Sequence, residues 1–282
     1  MELDPSSLRQ PAALAAFRGW NDAGEAASSV VTHLVRHHDA EVLLAFDEGY
    51  YDLKQTRPLV VTKPGGTREL QWPKTVVMLC RTAQRDLLVI IGDEPNFDWV
   101  DFCHEILTTV MHHHATPLVV LGAMNSDEPH TRPLPVSVDA TNPDLVWGLG
   151  AEEANYTGPT GITGVLSHLA ADEGVDTVSM WASVPYYGPD GECPKATLAL
   201  ARRVSEVLGV DFDFATLEKA ADTWQENVTQ LVEADADLSQ YVRSLEQNYD
   251  DQLTATSGED LAAQIEKYLW EGGKGSGSGS AS

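Results

Sequence analysis

Residues 12–38 read AALAAFRGWNDAGEAASSVVTHLVRHH, and this stretch decides the fold. Ala12 to Phe17 is an apolar run of strand length, and a helical segment of about residues 22–38 follows it. Between them lies Gly19-Trp20-Asn21-Asp22-Ala23-Gly24-Glu25, where Asn21 or Asp22 can cap the helix and the glycines allow close backbone approach. The same alternation recurs along the chain. Val42–Phe46, Thr75–Leu79, Leu87–Ile91, Leu118–Leu121 and Thr177–Trp181 read as strands, with helices at about 97–114, 161–173 and 194–208. Near-continuous apolarity suits strands covered on both faces, as in a parallel sheet. Strands alternating with helices predict a three-layer α/β/α sandwich. Only Pro58 to Arg85 breaks the rhythm: two strand-like runs flank Lys63-Pro64-Gly65-Gly66, which predicts a β-hairpin inserted at the sheet edge.

The composition bounds the function. Against 18 Lys plus Arg stand 43 Asp plus Glu, a formal charge of −25. Proteins that neutralise nucleic-acid phosphates or anionic membranes need clustered basic residues, so both partners are excluded. With 43% hydrophobic and 22% charged residues the chain can bury a sizeable core. No apolar run approaches the roughly 20 residues that span a bilayer. Met1 to Pro5 has neither a basic nor an apolar signal region, which predicts a cytoplasmic protein. Cys80, Cys103 and Cys193 form no CxxC and read as buried, reduced thiols.

Two shifts divide the chain. Residues 211–271 carry 15 acidic side chains against Lys219, Arg243 and Lys267, a net −12. Leu217, Ala220, Ala221, Trp224, Val228, Leu231 and Val232 recur there at helical spacing, which predicts amphipathic helices at about 213–235, 237–249 and 258–270. The last starts after a break at Ser257-Gly258. Residues 1–210 are thus read as an α/β domain, 211–271 as an acidic helical extension and 272–282 as a flexible, appended Gly/Ser linker.

In an open α/β sheet ligands bind outside the carboxyl ends of the strands. The loops after the predicted strands therefore supply the candidate pocket: Gly19, Trp20, Asn21, Asp22, Gly24, Asp93, Glu94, Asn125, Gly158, Thr160, Gly161, Thr163 and Tyr186. Gly158 to Gly164 could cradle an anion at a helix N-terminus, or be a packing loop capped by Thr160 or Thr163. Asp93 and Glu94 could serve as acid and base, but adjacent residues point apart and either could simply cap the next turn. His33 and His37 have i, i+4 ligand spacing without further ligands, and His112 to His114 suit a helix C-terminus, so no metal site is expected. Ser167 and Ser183 sit in no GxSxG elbow, Cys103 reads as core, and no cofactor motif or catalytic set is recognised. Tyr186-Tyr187 could stack on a ligand or anchor an interface.

Phe17 to Ala27, Gly92-Asp93-Glu94-Pro95, Gly158 to Gly164 and Val184-Pro185-Tyr186-Tyr187 together resemble the PAC2 family, named for a proteasome assembly chaperone, over about residues 12–250. The acidic end resembles the extension of actinobacterial members. The resemblance implies a sandwich similar to the phosphorylase/hydrolase-like fold, a homo-oligomer (a trimer by fold analogy), and an assembly or scaffold role in which proteasome or other subunits are partners. A small-ligand binder or enzyme using the strand-end loops is the alternative.

Overall fold

In a computed structural model, residues 4–46, 48–142, 145 and 156–272 are described, with side chains of the last helix described as far as Thr254. The chain forms two compact units, residues 1–228 and 229–282.

The first unit holds a seven-stranded sheet in the order β2-β5-β6-β1-β7-β9-β8. Its strands are β1 (Ala12–Arg18), β2 (Asp39–Ala45), β5 (Thr75–Arg81), β6 (Asp86–Asp93), β7 (Leu118–Ser126), β8 (Val136–Ala140) and β9 (Thr177–Pro185). β3 (Leu59–Thr62) and β4 (Arg68–Gln71) make a separate two-stranded ribbon around Lys63 to Thr67. The predicted hairpin is therefore present, as a sheet of its own. Helices α1 (Ala26–His37), α2 (Trp99–His112), α3 (Ile162–Asp172) and α4 (Pro194–Leu208) cover the large sheet. α1 packs with α4 on one face and α2 with α3 on the other, giving the three-layer α/β/α sandwich.

The sheet is mixed, contrary to the parallel expectation. Only β6, β1, β7 and β9 run parallel; β5 is antiparallel to β6, β2 to β5 and β8 to β9. The difference follows from connection length, because the four-residue link between β5 and β6 permits only an antiparallel return. β2 at the edge is largely exposed rather than covered on both faces. In the parallel centre, β1 is buried along nearly its whole length and alternates its side chains between the layers. Ala13, Ala15 and Phe17 join Phe102, Ile106 and Leu107 of α2 and Ile162 and Leu166 of α3 in one core. Each such large side chain stabilises the fold by about 1.5–3 kcal/mol.

α5 (Phe214–Ala234) leads into the second unit, where α6 runs from Ala236 to Gly272. Asp235 starts α6, its Oδ1 accepting from Asp237 N at 2.9 Å and Leu238 N at 3.0 Å. The helix continues through Ser257-Gly258, where the sequence predicts a break. One interior glycine costs only about 0.5–1 kcal/mol relative to alanine, which Ala255, Ala262 and Ala263 offset as strong helix formers. Residues 273–282 of the Gly/Ser segment lie outside the described residues. No helix among the described residues is long and apolar enough to cross a membrane.

Candidate functional site

β1 and β6 are parallel neighbours, but the chain leaves β1 for α1 on one face and β6 for α2 on the other. Adjacent strands whose connections diverge leave a crevice at their carboxyl ends. The register places Arg18 opposite Asp93, and Arg18 Nε donates to Asp93 Oδ1 at 2.9 Å. Asp93 Oδ2 accepts from Lys74 N at 3.0 Å, so both oxygens of this carboxylate are committed.

Glu94 joins its own loop to two segments distant in sequence. Its Oε2 accepts from Trp20 N at 3.3 Å, and its Oε1 accepts from Asn21 Nδ2 at 3.1 Å and from Ile162 N at 3.0 Å. Ile162 opens α3, whose capping position is Gly161. A side chain there would force Asn21 to move: a Cβ on Gly161 would lie 2.0 Å from Asn21 Nδ2. Glu94 thus caps α3 from across the sheet end, a role the sequence offers to Thr160 or Thr163. Thr160 is exposed, and the buried Thr163 hydroxyl has no hydrogen-bond partner among the described residues.

Asp22 caps α1. Its Oδ1 accepts from Ala27 N at 2.9 Å and Ser28 N at 3.1 Å, while the buried Oδ2 has no hydrogen-bond partner among the described residues. Burial, opposed by those hydrogen bonds, raises its pKa above the ordinary carboxylate value. The Asn21 carbonyl accepts from Ala123 N at 2.8 Å, joining the loop to β7. Gly24 has φ +58° and lies against the start of α4; a Cβ would meet that of Cys193 at 2.6 Å.

The remaining candidates lie apart from this cluster. Asn125 is exposed near the end of β7, and Gly158 sits under the Tyr156 ring, whose hydroxyl donates to Pro159 O at 3.0 Å. Tyr186 donates its N–H to Ser126 O at 3.2 Å and sets its ring against Tyr187. Trp20 holds its backbone in the cluster and its side chain in solvent, 69% exposed.

The other groups weighed in the sequence have structural surroundings. The His33 and His37 rings lie 4.2 Å apart, tilted by 35°, and His33 also stacks on Phe212. Desolvation and the neighbouring His37 lower the His33 pKa, favouring its neutral ring. His113 Nδ1 meets Thr109 O at 2.9 Å at the end of α2. Cys80, Cys103 and Cys193 are free and buried, and burial pushes their thiols up to about 11, 12 and 11.

The crevice has a volume of about 580 Å³. Besides Gly19, Asp93 and Glu94 it is lined by Arg18, Thr56, Arg57, Asn96 and Trp99, which sequence reasoning did not select. A charged residue closing the apolar run of β1 was the available signal for Arg18. Thr56 and Arg57 precede the ribbon outside any regular element, so no periodicity marks them.

Comparison with known proteins places the chain. The model of the PAC2 family matches residues 16–232. The crystal structure of a PAC2 family protein from Streptomyces avermitilis is 42% identical, with a TM-score of 0.76, over 82% of this chain and 99% of that one. That of a Mycobacterium tuberculosis proteasome-assembly chaperone homologue is 40% identical, with a TM-score of 0.73 and the same two coverages. An archaeal proteasome activator from Pyrococcus furiosus, 17% identical with a TM-score of 0.61 over 80% of this chain and 94% of its own, shares the fold. No curated protein matches. The family model and these similarities agree with the sandwich: the chain belongs to the PAC2 family, with actinobacterial relatives at 40–42% identity.

Proposed function

We propose that this protein is an assembly-chaperone-like member of the PAC2 family that acts through protein–protein contacts in the cytoplasm, with proteasome subunits as the partner class. The observation that carries this reading is the 40% identity to a proteasome-assembly chaperone homologue over 99% of that chain. The site geometry supports it. Asp93 and Glu94, the best-placed acid and base, have each oxygen engaged by a protein donor, and these contacts hold neighbouring loops together. At the carboxyl ends of the neighbouring strands β1, β7 and β9, Trp20, Met124 and Tyr186 stand exposed. Exposed aromatics of this kind anchor protein interfaces.

The test mixes the protein with separately purified actinobacterial proteasome α and β subunits and follows assembly by native mass spectrometry. A complex with subunits and faster appearance of assembled particles is expected. Trp20→Ala with Tyr186→Ala should weaken capture at least tenfold while the thermal midpoint stays unchanged. An unaltered assembly time course with no complex overturns the proposal.

A further inference from the structure

The crevice between the ends of β1 and β6 has unused hydrogen-bonding capacity of one kind. Its carboxylates are already occupied by protein donors, as described above. Its donors are not. Arg18 gives only Nε to Asp93, and its two terminal nitrogens make no hydrogen bond among the described residues. Arg57 is exposed and has neither a hydrogen bond nor an ion pair among them. The orientation of Asn96 is fixed by its neighbours. Its Oδ1 accepts from Asp52 N at 2.8 Å and Thr56 Oγ1 at 3.0 Å, and a backbone N–H can only donate, so Nδ2 is the uncommitted end. Trp99 donates its indole N–H to Pro95 O at 2.7 Å, which fixes the ring as one wall. A crevice of about 580 Å³ is of small-molecule size, larger than a single anionic group needs.

We propose that this crevice binds a small anionic molecule by one carboxylate or phosphate group. The Arg57 guanidinium takes the group in its planar fork, the terminal nitrogens of Arg18 and Asn96 Nδ2 supply further donors, and the body of the molecule lies against Trp99. A guanidinium without a partner, in a chain of net charge −25, is the group an anion can pair with without displacing an existing contact. Arg18 is already oriented by Asp93, so its remaining donors are held in place before the ligand arrives. The site does not depend on the assembly role, and either can fail without the other.

The experiment is calorimetry and thermal denaturation of the whole chain with inorganic phosphate, malonate or adenosine monophosphate, at ionic strength held constant with sodium chloride. A ligand that binds the native state raises its melting temperature. Saturable binding of at least one probe is expected, with Arg57→Glu weakening it at least tenfold and leaving the ligand-free melting temperature unchanged. Lys63→Glu on the ribbon, a charge change of the same sign, should bind like the original protein. Tighter binding of phosphate and adenosine monophosphate identifies a phosphate-bearing ligand, and tighter binding of malonate a carboxylate. Three results overturn the proposal: no probe binds above chloride, Arg57→Glu binds as before, or Lys63→Glu weakens binding equally.

Discussion

The Glu94 cluster and the β3–β4 ribbon are both built from glycine-bearing loops beside strands, yet they direct their side chains oppositely. In the cluster Glu94 accepts three hydrogen bonds, and Asp93 and Asp22 two each, so its polar groups turn inward. In the ribbon Leu59, Val60, Leu70 and Trp72 stand 41–61% exposed. A two-stranded ribbon is marginal alone in water, and grouped exposed apolar side chains mark contact surfaces. The polar groups of the sequence-distinctive Gly-Trp-Asn-Asp loop are thus engaged in internal contacts, and the plain ribbon presents apolar surface that folding leaves uncovered.

Removing the centre of the cluster should have the largest effect. Glu94→Ala leaves the N–H groups of Trp20 and Ile162 and the Asn21 amide without their acceptor, and a charged acceptor makes such bonds strong. A loss of about 3 kcal/mol is expected in urea denaturation. Gly161→Ala forces a methyl into the Asn21 amide and should cost about 1–3 kcal/mol by overpacking. If Glu94→Ala unfolds at the original urea midpoint, the cluster is not the scaffold described here, and its carboxylates become candidates for a chemical role.

Asp22 sharpens the comparison through pH. Asp22→Ala removes the α1 cap and should cost about 1–2 kcal/mol. Asp22→Asn keeps an acceptor for Ala27 and Ser28 while removing the charge. Because burial raises the folded-state pKa, the folded protein holds this proton more tightly than the unfolded chain. The resulting stability is full below the unfolded value of 3.8 and is lost as pH rises through the raised one. The original protein should therefore lose stability relative to Asp22→Asn between pH 4 and pH 7. Parallel urea curves across that range would show that burial does not dominate at Asp22.

How much of this could be read in the sequence depends on range. α4 is legible to the residue because Pro194 opens it and Gly209, at φ +63°, ends it. The β1 strand and its glycine loop follow from an apolar run meeting cap residues. β8 left no signal, being five residues just beyond Pro133 and Pro135 at the sheet edge. The cap on α3 could not be found locally, since Glu94 and Ile162 are 68 residues apart and only the sheet order brings them together. The same holds for Arg57 and Arg18, which line one crevice: folding makes it, and periodicity does not encode it.

The ribbon gives the smallest effect on stability and tests the outward half of the comparison. Leu59 and Leu70 are exposed, so charged replacements there bury nothing and leave no cavity. Leu59→Glu with Leu70→Glu should change the unfolding free energy of the chain by no more than about 0.5 kcal/mol. If the ribbon joins copies of the chain, as a homo-oligomer would use it, the same pair places carboxylates in an apolar contact and native mass spectrometry should show a lower mass. A constant mass at a constant urea midpoint would remove the ribbon from self-association and leave its apolar surface to a different protein. A fall in the urea midpoint at constant mass would instead mean that Leu59 and Leu70 support the fold, and the contrast with the Glu94 cluster would disappear.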